Sequence, residues 1–380
     1  MNLVTVSLGI RSLIRYPVGD MRGLYGPGPD GRPGHVRQIG GRNSLQWQGL
    51  GRFKAALPLA ATSAALLLAG CGGKQSALSP AGPVAQDQLG LLVESLWIMG
   101  AIFVIVCAVF LYSLVRFRAR RGDDALPKQV HGNTRLEIAW TIVPLIIIVV
   151  LSISTVRYAF ALGTTPKDPV TIDVIGHQYW WEFRYPGSGV VTANQVRIPT
   201  GEKVNFVLTS ADVIHSFWVP ELGGKTDLIP GRTNQMWLEA SKSGTYAGQC
   251  AQLCGVGHAY MKFTVLAESP ADYRKWLQHM RTDTVHATTP QEVAGMKLFA
   301  QDCATCHAIQ GTPYKGHVGP NLTALATRPT IGAGTLPDTP QGLATWLHDP
   351  SAVKPGAKMP DLGLSKGQIE DLTAFLETLK

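Results

Sequence analysis

The stretch Gln249-Cys250-Ala251-Gln252-Leu253-Cys254-Gly255-Val256-Gly257-His258-Ala259-Tyr260-Met261 decides how the rest of the chain is read. Two cysteines stand four apart, a histidine follows four later and a methionine three after that, so one loop carries four soft or borderline donors. Thiolates and a thioether suit Cu(I), and imidazole suits Cu(II), so the mixture points to copper. A C-x-x-x-C alone reads equally as a redox pair or half a zinc site. The added His and Met count against zinc, which rarely takes a thioether. The bland alternative is a buried thiol pair beside an incidental His and Met. His215, in Ile214-His215-Ser216-Phe217, is a fifth candidate donor upstream.

Around this loop the chain is rich in short β-type runs. Val170 to Ile175, Lys203 to Thr209 and Met261 to Leu266 are β-branched, aromatic and partly alternating, and Pro186-Gly187, Pro199-Thr200-Gly201 and Pro230-Gly231 break them apart. Evenly spaced short strands predict an all-β sandwich or barrel over 168–268, with His215 at a strand end able to meet the cysteine loop. That is the logic of a cupredoxin-like domain.

Downstream, 269–289 reads as a linker and 290–380 as a small all-α domain. It contains Cys303-Ala304-Thr305-Cys306-His307, the C-x-x-C-H pattern of covalent c-type haem, in which both sulfurs bind the porphyrin and His307 the iron. A redox dithiol or a zinc half-site is the competing reading. Apolar stripes at Val293, Met296, Phe299 and Ala300, and at Ile369, Leu372, Phe375, Leu376 and Leu379, predict a helix on either side. The context of Met359, Lys354-Pro355-Gly356-Ala357-Lys358-Met359-Pro360, resembles class I cytochrome c, as does Val318 to Leu322 between the ligands. The resemblance implies that Met359 is the second iron ligand, with His317 and His348 as rivals.

Upstream lie two long apolar runs within 84–158, about 91–115 and 138–156, each of a length that crosses a bilayer as a helix. Arg116, Arg118, Arg120 and Arg121 lie between them and predict a cytoplasmic loop, which places both flanks and everything after about Tyr158 outside. Glu94 and Glu137 stand near the helix ends, where solvation is the simplest reading. Residues 1–51 have no period and read as a disordered or mis-annotated leader. Residues 52–70 read as a signal peptide, with Arg52 and Lys54 before an apolar core. Leu68-Ala69-Gly70-Cys71 resembles the bacterial lipobox, which implies acylation of Cys71; a plain signal peptide is the alternative. Residues 1–70 hold eight basic against two acidic side chains, which accounts for +6 of the formal net charge of +8. The basic balance therefore reports the leader, and no nucleic-acid motif accompanies it.

Gly176-His177-Gln178-Tyr179-Trp180-Trp181-Glu182-Phe183, Asp212 to Phe217, Lys225 to Arg232, the cysteine loop, and Leu136-Glu137-Ile138-Ala139-Trp140-Thr141 with Pro144 together resemble subunit II of cytochrome c oxidase. The likeness covers Val84 to Glu268. It implies a binuclear CuA centre of two copper ions bridged by Cys250 and Cys254, with His215 and His258 as terminal imidazoles. Met261 and the Gln252 main-chain carbonyl are then the weak ligands. It also implies oxidase subunit I as a partner, with subunit III beside it, a cytochrome donor rather than quinol, and a periplasmic face of the plasma membrane for both redox domains. No oxygen-reducing residue lies on this chain, and Glu137 matches the carboxylate at a proton-path mouth. Two positions depart from the family. Gln252 stands where Glu is common, which leaves the Mg contact at the subunit I interface open, and Tyr179 stands at the usual electron-entry Trp, leaving Tyr179 or Trp180 as the entry. These aromatics read equally well as sheet packing. The electron-entry subunit of a nitric oxide reductase and a membrane-tethered copper chaperone are the rival functions. Met261, His258 and the haem motif speak against the chaperone.

Overall fold

The computed structural model describes residues 73, 75–118, 132–282 and 285–380. The leader, the signal peptide, Cys71 and the loop arginines Arg120 and Arg121 lie outside the described residues.

Two long helices come first, α1 (Pro83–Arg116) and α2 (Thr134–Gly163), both long and apolar enough to cross a membrane. Their side chains stay uncovered: Trp97 is 78% and Val115 80% exposed, which in water would be a large apolar penalty and in lipid is none. Both outrun the expected spans. The extra N-terminal turns of α1 are explained by what they touch, since Val84 and Ala85 are buried at the β-domain. The lead-in is tied there too, Ala81 N–H donating to Glu221 O at 2.7 Å and Ser241 N–H donating to Ala81 O at 2.8 Å. Between the helices Ser154 Oγ donates to Glu94 at 3.2 Å, so Glu94 has an interhelical partner rather than a purely solvated end.

The β-domain is a sandwich of two five-stranded sheets. The first sheet has the order β3 (Val190–Ala193), β2 (Trp180–Tyr185), β1 (Val170–His177), β5 (Val204–Ser210) and β8 (Asn234–Leu238). The second has the order β4 (Gln195–Pro199), β10 (Lys262–Glu268), β9 (Gly244–Cys250), β6 (His215–Trp218) and β7 (Lys225–Leu228). Alternate residues point inward, as in Phe263, Val265 and Ala267 of β10. The core centres on aromatics: the rings of Phe217 and Phe263 stack at 4.6 Å, and Trp181 meets Phe263 at 5.1 Å.

The expected linker is in part a helix, α3 (Pro270–Thr282). Its Tyr273, Trp276, Leu277 and Met280 form a stripe against the sandwich core, and Trp276 meets Tyr185 at 5.2 Å. The C-terminal domain has helices α4 (Pro290–Asp302), α5 (Pro340–His348) and α6 (Lys366–Leu376). Its separate core includes Phe299, Leu343, Leu372 and Phe375.

Candidate metal and haem sites

His215 opens β6 and Cys250 closes β9, and those strands are hydrogen-bonded neighbours with Phe217 opposite Cys250. The loop leaving β9 returns into β10 through a single turn of 3-10 helix at His258–Tyr260. Its two ends are pinned together, since Cys250 N–H donates to Met261 O at 3.0 Å. Ala251 N–H donates to Ser216 O at 3.0 Å and fixes the start of the loop beside His215. A short loop closed this way can present its side chains in only a few arrangements.

The arrangement adopted brings all the expected donors together. The Cys250 and Cys254 sulfurs lie 3.9 Å apart, and His215 Nδ1 is 4.0 Å from Cys250 Sγ. His258 Nδ1 is 3.7 Å and Met261 Sδ 3.8 Å from Cys254 Sγ, and the Gln252 carbonyl is 3.2 Å from Cys250 Sγ. His215 and Met261 are fully buried, and both cysteines nearly so. The donor atoms of His215, Cys250 and Cys254 all lie within 4.8 Å of one another.

The protonation chemistry of the pair favours a cation. Hydrogen bonding from Cys254, reinforced by His215 and opposed by burial, holds the Cys250 thiol well below its ordinary range. The Cys254 thiol is pushed up by Cys250 and by burial, because two thiolates this close repel. A doubly ionised pair therefore needs positive charge beside it, which a soft metal supplies. The donor set fits copper.

Asp212 orients His215, with Oδ1 2.8 Å from Nε2, so that Nδ1 faces the sulfurs. Burial opposes charge on Asp212, but hydrogen bonds from His215 and from the Gln178 and Val213 N–H groups outweigh it and hold the carboxyl below its ordinary range. Gln178 also donates from Nε2 to Cys254 O at 2.7 Å. Neither Asp212 nor Gln178 was singled out for a role from the sequence, although an acid three residues before a ligand histidine was the available signal for Asp212.

In the C-terminal domain α4 delivers Cys303 at its end, and Cys303, Cys306, His307 and Met359 line one largely apolar cavity with Phe299 and Leu372. His307 Nδ1 lies 2.7 Å from Pro320 O, which leaves Nε2 as the free donor atom. Burial lowers its pKa, only partly offset by Pro320, so the ring stays neutral as an iron ligand must. An apolar slot with two thiols, a neutral imidazole and a thioether fits covalent haem. His317 and His348 are both exposed.

Tyr179 and Trp180 line the same cavity from the β-domain side. Tyr179 is buried, and its ring lies so close to the cysteine loop that a Cβ on Gly257 would be 2.4 Å from Cδ2. Trp180 stacks on His177 at 4.1 Å with planes 3° apart. Glu137 sits in the first turn of α2 and accepts from Asn133 N–H at 3.3 Å, a local capping contact.

Fold and donor clusters define a class, a membrane-anchored chain joining a cupredoxin-like domain to a small helical domain with a c-type haem motif. Residues 74–157 match the family described as cytochrome c oxidase subunit II, transmembrane domain, residues 188–268 its periplasmic domain, and residues 292–380 the family cytochrome c. The chain is 40% identical to cytochrome c oxidase subunit 2 of Alkalihalophilus pseudofirmus over 88% of this chain and 98% of that one. The chain belongs to the cytochrome c oxidase subunit 2 family. It is also 39% identical to quinol oxidase subunit 2 of Bacillus cereus, over 60% of this chain and 80% of that protein. Among solved structures it is similar to the periplasmic domain of subunit II of the Bradyrhizobium japonicum cytochrome oxidase, at 31% identity over 31% of this chain and 96% of that one, with a TM-score of 0.30.

Proposed function

We propose that this chain is the electron-entry subunit of a respiratory cytochrome c oxidase, taking electrons on its own covalent haem and delivering them through a binuclear copper centre to subunit I. The observation that carries the reading is the shared wall: Tyr179 and Trp180 line the haem cavity, while the Tyr179 ring packs on the loop that carries the copper donors. When bound, the two groups supply one-electron carriers. Everything else is the work of the residues. Cys303 and Cys306 would hold the haem by thioether bonds, and His307 and Met359 would be its iron ligands. Cys250, Cys254, His215 and His258 would hold the copper ions, with Met261 and the Gln252 carbonyl as the weaker donors. Asp212 keeps His215 in register, and the buried aromatics around Trp181 exclude water and hold the strands still. Oxygen reduction belongs to subunit I.

The wider assembly follows from the same reading. Both redox domains lie on the periplasmic side of a bacterial plasma membrane, held by α1 and α2, with subunits I and III as neighbours and a cytochrome as donor. Coverage favours a cytochrome over a quinol, since the cytochrome c oxidase relative spans 88% of the chain and the quinol oxidase relative 60%. Glu137 stands at a proton-path mouth toward subunit I, Gln252 offers carbonyl oxygen toward a Mg ion there, and Cys71 carries the lipid. Metal and haem analysis of the purified complex tests the assignment. The expected result is two copper ions per chain in a delocalised mixed-valence state with one covalent haem. A single labile Cu(I), as in a chaperone, overturns it.

A further inference from the structure

Lys354 is a buried amine that neither donor cluster explains. It is 4% exposed, and no carboxylate is paired with it among the described residues. Its ammonium instead donates to two main-chain carbonyls, Tyr179 O at 2.7 Å and Gly332 O at 2.9 Å. Tyr179 belongs to the turn between β1 and β2, against the copper loop. Gly332 belongs to the haem domain, and Lys354 begins the segment that carries Met359. One ammonium thus ties three segments, two from the haem domain and one from the copper domain. Burying an ammonium is costly: burial pulls the Lys354 amine down to about 7, opposed by the charge of Cys254, and the two carbonyls are the contacts that compensate it.

The surroundings keep the two domains in close register there. Lys262 N–H, at the start of β10, donates to Ala333 O at 3.1 Å, next to the carbonyl that Lys354 holds. Gly356 has φ +81, and a Cβ on it would stand 2.5 Å from Val256 Cγ2 and 2.9 Å from Tyr179 Cε2, so only glycine lets the Met359 segment lie flat on the copper loop. Lys358 reaches Asp212 at 3.5 Å, but that lysine is mostly exposed and its pair contributes little. Lys354 is the buried, doubly bonded contact.

We propose that Lys354 is a positioning residue for transfer between the two redox centres, clamping the Met359 segment and the Gly332 turn of the haem domain onto the Tyr179 turn beside the copper loop. The proposal rests on the reading that the haem feeds the copper centre. Removing the ammonium takes the side-chain donor from the buried Tyr179 carbonyl, leaves Gly332 O only its local contact from Thr335 Oγ1 at 2.7 Å, and frees the haem domain to lift away, while each domain keeps its own core and its own ligands.

The test compares the intact complex with its K354M variant, whose side chain keeps most of the stem and loses the charge. Two readouts are taken: amide hydrogen exchange across residues 176–181 and 255–261, and the rates of haem reduction and of haem-to-copper transfer after rapid mixing with a reduced cytochrome. Protection at the interface is expected to fall on the order of tenfold or more, since both interdomain and turn hydrogen bonds of the Lys354 amine are lost. Transfer from haem to copper is expected to slow by a comparable factor, with haem reduction and both absorption spectra unchanged. A merely structural role would alter the spectra of one centre instead. Unchanged protection and transfer overturn the clamp, and so does an altered haem or copper spectrum in both K354M and K354Q. If the haem of the unmodified complex reduces and never passes its electron to copper, the functional reading fails, while hydrogen exchange still decides the clamp.

Discussion

Cys254→Ser is expected to strip the copper centre and leave the haem. Cys254 is the hub of the donor cluster, with its sulfur 3.9 Å from Cys250 Sγ, 3.7 Å from His258 Nδ1 and 3.8 Å from Met261 Sδ. A serine hydroxyl is a hard, weakly acidic donor that does not bridge soft metals, so its neighbours on the far side of the cluster lose the atom they converge on. Loss of an outer-layer contact to a metal ligand already costs about 10–100-fold in affinity or activity, so loss of the donor on which the cluster converges is expected to cost more than about 100-fold. The mixed-valence copper spectrum should vanish and oxygen consumption with a cytochrome donor should fall by at least that factor. Covalent haem should stay at the unmodified level, because Phe299, Leu343, Leu372 and Phe375 form a core separate from the sandwich. Copper retained at two per chain would remove Cys254 from the ligand set.

The converse loss is expected from Gly295→Val. Gly295 lies where α4 crosses α6, and a Cβ there would stand 2.0 Å from Asp371 O and 2.8 Å from Phe375 Cβ. The atom in the way is main chain, so no side-chain rotation relieves it. Overpacking of a core costs about 1–3 kcal/mol where neighbours can shift, and a clash with helix backbone lies at or above the upper end. Against a domain stability of about 5–15 kcal/mol, prising α4 from α6 also uncovers Phe299 and Phe375. Haem-stained gels of the variant should show little covalent haem, while the copper signal of the sandwich persists. Full haem incorporation in Gly295→Val would contradict the helix crossing described above.

Much of this was legible in the sequence because it is local. Two apolar runs gave two helices, alternating runs gave β1, β5 and β10 close to their observed bounds, and the donor loop and C-x-x-C-H carry their spacing on their face. The helix inside the expected linker is harder to read: Tyr273, Trp276, Leu277 and Met280 fall at helical spacing, but flanking charges such as Arg274, Lys275 and Arg281 mask the stripe. Other features are long-range and had no local signal. The Lys354 contact spans 175 residues, and nothing near Lys354 says that its ammonium will be buried against Tyr179. Glu94 finds its partner 60 residues away on the second helix. Gly295 looks like any helical glycine until α6 is laid across it.

The order of reduction tests the central claim most directly. When the intact complex is mixed anaerobically with a reduced cytochrome and followed at the haem and copper absorption bands, the account predicts that the haem reduces first. The copper centre should follow with a rate that is independent of donor concentration, since that transfer is internal to the chain. Copper reduced before the haem, or at a rate that tracks donor concentration while the haem stays oxidised, would contradict it.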